Sequence, residues 1–428
     1  MQEKCYLGQL RQHFSCNTGQ DMLVSPRKTQ NNMKIKQLLL SLLALAGAAQ
    51  AGEASDNYRM FYDGGLLIPG ADAPAYKQKL FDKTGTAFLL ELFAGYWAID
   101  NQAPGYNSDA YLGLLYSRID QRIIKDEVNG GTWFNLAVAG SWGLDHDTAD
   151  KESFYDGGMG ICTGQHTDSV GPAGLYIMNA TLRQYFNNKR TCLNVGSIWM
   201  SMYFDRIDHA RFANDAFEKS PVLPMYYGTP GAVLQHEIDP SNFVTAAFIG
   251  TGLGLGDNPL NWNNTDGYAV QVEYGHHFAE GQGTWRVASF FCSQETANAA
   301  GIDEDHDSVG IMGGVEYNIN DRVKVYGRLS CASSEHQRAR KEAMVGTTLR
   351  VMPSRPQDYL GAGFGIYKGS DKGLTRLVNE YEKVMEITYR INLNDYVSLA
   401  PFYQLYIDPA YRDVDTVSAT GIQAHLLF

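Results

Sequence analysis

Beyond residue 51 the sequence lacks any apolar run long enough for a membrane-spanning helix, although 44% of its 428 residues are hydrophobic. Such a helix needs about twenty consecutive apolar residues, so a helical membrane protein is excluded. Cysteine is scarce and has no metal-binding or redox spacing: there are 6, none in a CxxC pair, and Cys5 and Cys16 fall before residue 33. Zinc and thiol-redox motifs are therefore not expected. Cys162, Cys192, Cys292 and Cys331 leave room for one disulfide in an oxidising compartment. Positive charge is also in deficit, with 35 Lys+Arg against 47 Asp+Glu and a net charge of −12. That balance argues against nucleic acid as a partner. The run Gly250–Gly256 mimics a dinucleotide loop but has no following helix and no βαβ frame. The acidic runs Asp145–Asp147 and Asp303–Asp307 lack a full calcium-loop signature and read as solvated loops. No cofactor and no metal site is expected.

The sequence does carry a secretory signal. Met33–Lys36 is a basic leader, 37–48 an apolar stretch, and Ala49-Gln50-Ala51 a small-residue cleavage site. The simplest account of the preceding residues is that translation begins at Met33 and 1–32 are a gene-start artefact. From Thr86 onward the chain breaks into short alternating runs separated by turn residues. Strands are predicted at 86–99, 109–121, 131–143, 173–186, 190–204, 229–238, 241–252, 266–278, 283–293, 307–317, 322–334, 342–352, 357–367, 383–392, 396–407 and 416–428. Short connections such as Asn187-Asn188-Lys189, Asp239-Pro240-Ser241, Asn318–Asp321 and Asn392–Asp395 alternate with long ones near 144–172, 205–228, 253–265, 294–306 and 368–382. Regular alternation of short and long connections is a property of outer-membrane barrels. The expected fold is an all-β transmembrane antiparallel barrel of about sixteen strands, with short periplasmic turns and long extracellular loops. Residues 52–85 would form an N-terminal periplasmic segment with a short helix, and 86–428 the barrel.

Parity along the strands separates two faces. Leu329 and Val325 oppose Arg328 and Lys324; Met385 and Ile387 oppose Glu386 and Arg390; Val270 and Val272 oppose Gln271 and Glu273. An Arg or Lys facing lipid near the midplane costs about 2–4 kcal/mol, so the charged face must line a wet lumen. The last strand follows the same rule, with Ile422, Ala424, Leu426 and Phe428 opposite Gln423 and His425. Such a C-terminal strand resembles the address by which barrel proteins reach their assembly machinery. The compartment implied is a Gram-negative outer membrane, with its lipid and lipopolysaccharide as neighbours.

The order and spacing of several stretches resemble the carbohydrate-selective porin family. They are Tyr76–Gly85 followed by Phe88–Leu92, Leu175–Met178 through Cys192–Gly196, Phe204-Asp205 with Phe212–Phe217, and the closing set Glu386–Arg390, Leu399–Pro409 and Gly421. Phe402 departs from the family pattern, which often has a polar residue there. The resemblance implies a sixteen-stranded channel through which mono- or oligosaccharides diffuse passively.

A sugar pathway needs hydrogen-bonding and charged groups for hydroxyls and aromatic faces for the ring. By parity the wall candidates are Arg183, Glu273, Arg286, Lys324, Arg328, Glu386, Arg390 and Gln404. The 205–228 connection adds Asp205, Arg206, Arg211, Asn214, Asp215 and Glu218 beside Phe204, Phe212 and Phe217. It is expected to fold inward and narrow the pore, against the alternative of a plain external loop. Two other functions compete: a non-selective diffusion pore, and an outer-membrane lipase or lipid A deacylase. A hydrolase needs a His beside a Ser nucleophile. The nearest grouping, His166-Thr167-Asp168-Ser169, lies in an expected loop, so no catalytic residue is assigned.

Overall fold

The computed structural model describes residues 66–428 apart from 70–72, 102, 104–107, 144–158, 160, 162, 164–173, 206–211, 213–214, 218, 224–227, 252–264, 266, 298–302, 334–338 and 371–376. One helix, α1 (Ala75–Thr84), leads into sixteen strands: β1 (Thr86–Asp100), β2 (Asp109–Ile124), β3 (Thr132–Gly143), β4 (Gly174–Phe186), β5 (Thr191–Ile198), β6 (Thr229–Asp239), β7 (Asn242–Thr251), β8 (Gly267–Phe278), β9 (Gly283–Ala297), β10 (Asp303–Asn320), β11 (Val323–Ala332), β12 (Ala339–Leu349), β13 (Tyr359–Gly369), β14 (Tyr381–Asn392), β15 (Val397–Ile407) and β16 (Thr416–Leu427). Each strand pairs antiparallel with its sequence neighbour, and β1 pairs with β16 to close the barrel. Closure leaves no strand edge unpaired.

Parity sets the two faces as the sequence pattern implied. Leu329, Val345, Ile387 and Leu182 are 65%, 60%, 51% and 57% exposed on the outside, whereas Arg328, Glu342, Glu386 and Arg183 are 4% exposed or less. The outer face is thus an apolar surface suited to lipid. In β16, Ile422 is exposed while Gln423 and His425 are buried.

The short connections are built on Asn and Asp. Asn187, Asn188 and Lys189 take positive φ between β4 and β5. Asp239 accepts the Ser241 N–H, Asn320 those of Arg322 and Val323, and Asn394 those of Tyr396 and Val397. These side chains fold back on the local backbone, which is why they favour tight turns.

Two expected elements differ. The strand expected over 190–204 ends at Ile198. Gly196 has φ +143°, and a Cβ there would lie 2.2 Å from the Ala180 carbonyl oxygen. The following Met200–Met202 forms a 3₁₀ turn, so the chain leaves the wall and enters the lumen. Its alternation of apolar residues resembles a strand, but both sides are covered. The expected loop 294–306 is mostly strand, because β9 and β10 stay paired out to Ala297 and Asp303. The acidic run Asp303–Asp307 therefore belongs to a long hairpin rather than to a loop. Cys192, Cys292 and Cys331 are free thiols, and Cys162 lies outside the described residues.

The lumen is partly filled. Met200, Met202 and Phe204 cluster with Ala247, Ala269, Ala288 and Cys292 of β7–β9. Those small inward residues leave the room that the entering segment occupies. At one rim, Phe81 of α1 stacks on Trp133 of β3 with centroids 6.1 Å apart, and the Arg122 guanidinium lies over the Phe81 ring at 5.0 Å. Lys77 on α1 sits over Phe88, and burial pushes its amine down to about 8.

Candidate functional site

The inner wall of β8–β12 carries charges of alternating sign. Lys324 Nζ lies 3.0 Å from Glu316 Oε2, and Arg286 bridges Glu316 at 3.4 Å and Glu273 at 3.5 Å. The Asp205 N–H donates to Glu273 Oε2 at 3.0 Å, which ties this row to the segment inside the barrel. Arg328 then continues the row. Its Nη1 meets Asp205 Oδ2 at 2.9 Å, and its Nε and Nη2 donate to Glu342 Oε1 at 2.9 and 2.6 Å. The other Glu342 oxygen accepts the hydroxyls of Ser330 at 2.7 Å and Ser220 at 2.6 Å. Ser220 N–H also donates to Asp205, and Arg328 Nη2 donates to the Ala216 carbonyl at 2.6 Å.

This set of bonds clamps both ends of the β5–β6 connection to the wall. Asp205 makes the corner with φ 49°, a left-handed backbone that Asp tolerates better than most residues. Phe212 and Phe217 meet at a tilt with ring centroids 4.9 Å apart and join a cluster with Tyr326, Met344 and Tyr367 of the wall. Gly363 makes the notch for Phe217, since a Cβ there would stand 2.9 Å from the ring. The described parts of this connection thus lie inside the barrel, as expected for a constricting loop.

Charge exposure divides the row in two. The side chains of Arg328, Asp205 and Glu342 are at most 1% exposed, while those of Arg286, Lys324 and Glu316 are 16%, 15% and 12% exposed. Breaking a buried pair costs roughly 3–5 kcal/mol because a bare charge remains. An ion pair with access to water is worth about 0–1 kcal/mol. Arg328 is therefore a fixed fastening, whereas Arg286, Lys324 and Glu316 keep a small part of their surface open to water.

A second network lines β2–β4. Asp120 accepts from Arg118 Nη2 at 2.9 Å, from Asn135, and from the Leu67 N–H at 2.7 Å. Asn179 donates to Asn135 at 2.5 Å and accepts the Trp199 N–H at 3.0 Å, fixing the root of the inward loop. Arg183 Nε donates to Asn194 Oδ1 at 2.6 Å. On β14–β15, Gln404 donates to Glu386 at 2.9 Å and accepts the Tyr406 hydroxyl at 3.0 Å. Arg390 lies towards the short-turn rim, donating to Ser398 at 2.6 Å. The aromatic side of the lumen includes Trp97 and Phe402, 5.8 Å apart, so Phe402 points inward.

Of the sequence candidates, Asp205, Glu273, Arg286, Lys324 and Arg328 form one connected row. Arg183, Glu386, Arg390 and Gln404 sit apart from it. Arg206, Arg211, Asn214 and Glu218 lie outside the described residues, as does His166–Ser169; Asp215 is placed in a 3₁₀ turn, its side chain undescribed. Sequence reasoning missed Glu316 and Glu342, which the same parity rule would have found from β10 and β12. It also missed Glu382, whose carboxylate accepts the Thr163 hydroxyl at 2.6 Å and the Ala410 N–H at 3.1 Å. Met159 and Ile161 are buried against the same cluster as Phe217, so part of the β3–β4 connection also reaches into the barrel. No local signal marks that segment.

Residues 212–428 match the family model described as carbohydrate-selective porin, OprB family. Among curated proteins, the chain is 31% identical over 113 residues to Porin AaxA of Chlamydia pneumoniae, covering 26% of this chain and 26% of that protein. It is 24% identical over 248 residues to Porin AaxA of Chlamydia muridarum, covering 54% of this chain and 51% of the relative. The chain thus spans about half the length of these curated relatives, or less. A high-pH structure of Pseudomonas putida OprB superposes with a TM-score of 0.67 at 15% identity, covering 85% of this chain and 99% of that one. At that identity the likeness speaks for the fold.

Proposed function

This chain belongs to the carbohydrate-selective porin family (the OprB family), and from that premise we propose that it conducts mono- or oligosaccharides passively across the outer membrane. The barrel is a channel, not an enzyme, and its place is the outer membrane of a Gram-negative bacterium. The observation that carries the finer reading is the solute-accessible row Lys324–Glu316–Arg286 beside a loop fastened across the lumen. Donors and acceptors in alternation suit a neutral polyol, which offers both functions on every hydroxyl. A row of one sign would instead select an ion of the other. Arg286 supplies a planar fork of donors and Glu316 the acceptors.

On this reading the short turns face the periplasm and the long connections face outward among lipopolysaccharide. Residues 33–51 direct export and are removed after Ala51, and β16 with Phe428 addresses the chain to the barrel assembly machinery. Reconstitution in planar bilayers tests the class. Stepwise conductance is expected; lipid deacylation without steps would overturn the pore. A second reading, a non-selective diffusion pore, is separated from the first by comparing sugar flux with that of other solutes of equal size.

A further inference from the structure

Three arginines are fully buried among the described residues: Arg118, Arg183 and Arg328. Two have carboxylates in contact, Arg118 with Asp120 at 2.9 Å and Arg328 with Glu342 at 2.6 Å and Asp205 at 2.9 Å. Arg183 has none. Its Nε is fixed by Asn194 and Tyr185 is a further hydrogen-bonding neighbour, but no acceptor among the described residues stands in good hydrogen-bond geometry to Nη1 or Nη2. The groups within electrostatic reach are Tyr203, Tyr185, Cys192 and Asp120. The first three are neutral at neutral pH. The Asp120 carboxylate is already held by Arg118, Asn135 and the Leu67 N–H. The Tyr203 hydroxyl, buried and beside this guanidinium, is also without a partner.

A buried charge without a counter-charge costs several kcal/mol, and such charges are almost always neutralised. Two parallel N–H groups of a guanidinium match the two oxygens of a carboxylate or phosphate, and a phenol adds a third donor. We propose that Arg183 and Tyr203 hold a small oxyanion, the carboxylate of a sugar acid or a free phosphate, at the root of the inward loop. Asn194 sets the plane of the fork, and Asn179 anchors Trp199 four residues before Tyr203, so the site is preorganised. The proposal rests on the pore reading only for the route by which the anion arrives.

The test is thermal unfolding of the full chain, folded in detergent, at constant ionic strength in chloride. Glucuronate, phosphate and glucose are added separately. A ligand that binds only the folded state raises the melting temperature with concentration. The expected result is a saturable rise of several degrees with glucuronate, phosphate or both, and none with glucose. The rise should vanish in Arg183→Gln and weaken in Tyr203→Phe. A rise with glucuronate alone assigns the sugar acid, and one with phosphate alone assigns the free ion. No rise over chloride, or an equal rise in Arg183→Gln, would overturn the site and leave Arg183 merely hydrated. Should Arg183→Gln not fold, Arg183→Lys keeps the charge but loses the fork, and an undiminished rise there would equally overturn it. Bilayer conductance of the same preparations reads the pore separately, so the site can fail while the channel stands.

Discussion

Arg328 and Arg286 are both lumen arginines, yet their surroundings give them different work. Arg328 has every nitrogen engaged by Glu342, Asp205 or the Ala216 carbonyl and no access to water. Arg328→Met should strand Glu342 and Asp205, costing roughly 3–5 kcal/mol at the clamp. The loop would then loosen, and single-channel conductance should rise and become noisier; unchanged traces would show that the clamp does not hold the constriction. Arg286 instead keeps part of its guanidinium open. Arg286→Ala combined with Lys324→Ala should lower sugar flux several-fold, and stability should fall as well, by up to roughly 3–5 kcal/mol, because Arg286 is an ion-pair partner of the buried Glu273. Equal flux in the double variant would remove this row from the pathway.

At the scale of the element, the β5–β6 connection is the feature that fills part of the lumen. Its described ends are fastened by Asp205 and Ser220 and its middle by Phe217 in the Gly363 notch. Deleting 208–216 should raise conductance, and no change would place that stretch outside the conducting path. The strands were legible in the sequence because a period-two pattern with lipid on one side leaves little choice of face. The turns were legible because Asn and Asp bond their own backbone, as Asn320 and Asn394 do. The boundary of β5 was not, since Met200–Phe204 alternates like a strand while being buried on all sides. Nor was the placement of Met159, Ile161 and Thr163 inside the barrel near Glu382, because the Thr163–Glu382 contact spans 219 residues and has no local imprint.

For the molecule as a whole, closure between β1 and β16 is the long-range event, joining Leu90 N–H to the Phe428 carbonyl at 2.9 Å and Phe428 N–H back to Leu90 at 2.8 Å. Phe428 stacks on Tyr396 with centroids 6.2 Å apart. Removing Phe428 should reduce the fraction of chain inserted in the membrane without altering the conductance of the channels that do form. Altered conductance would mean that the seam shapes the pore. The wall inside that closed barrel alternates donors and acceptors, and the central claim is that this wall passes sugars in preference to other small polar solutes. Swelling of proteoliposomes in isosmotic glucose or disaccharide, against an amino acid of similar size, measures it directly. Faster swelling with the sugars, abolished without protein, is the expected result; equal rates for sugar and amino acid would contradict it and leave a general diffusion pore.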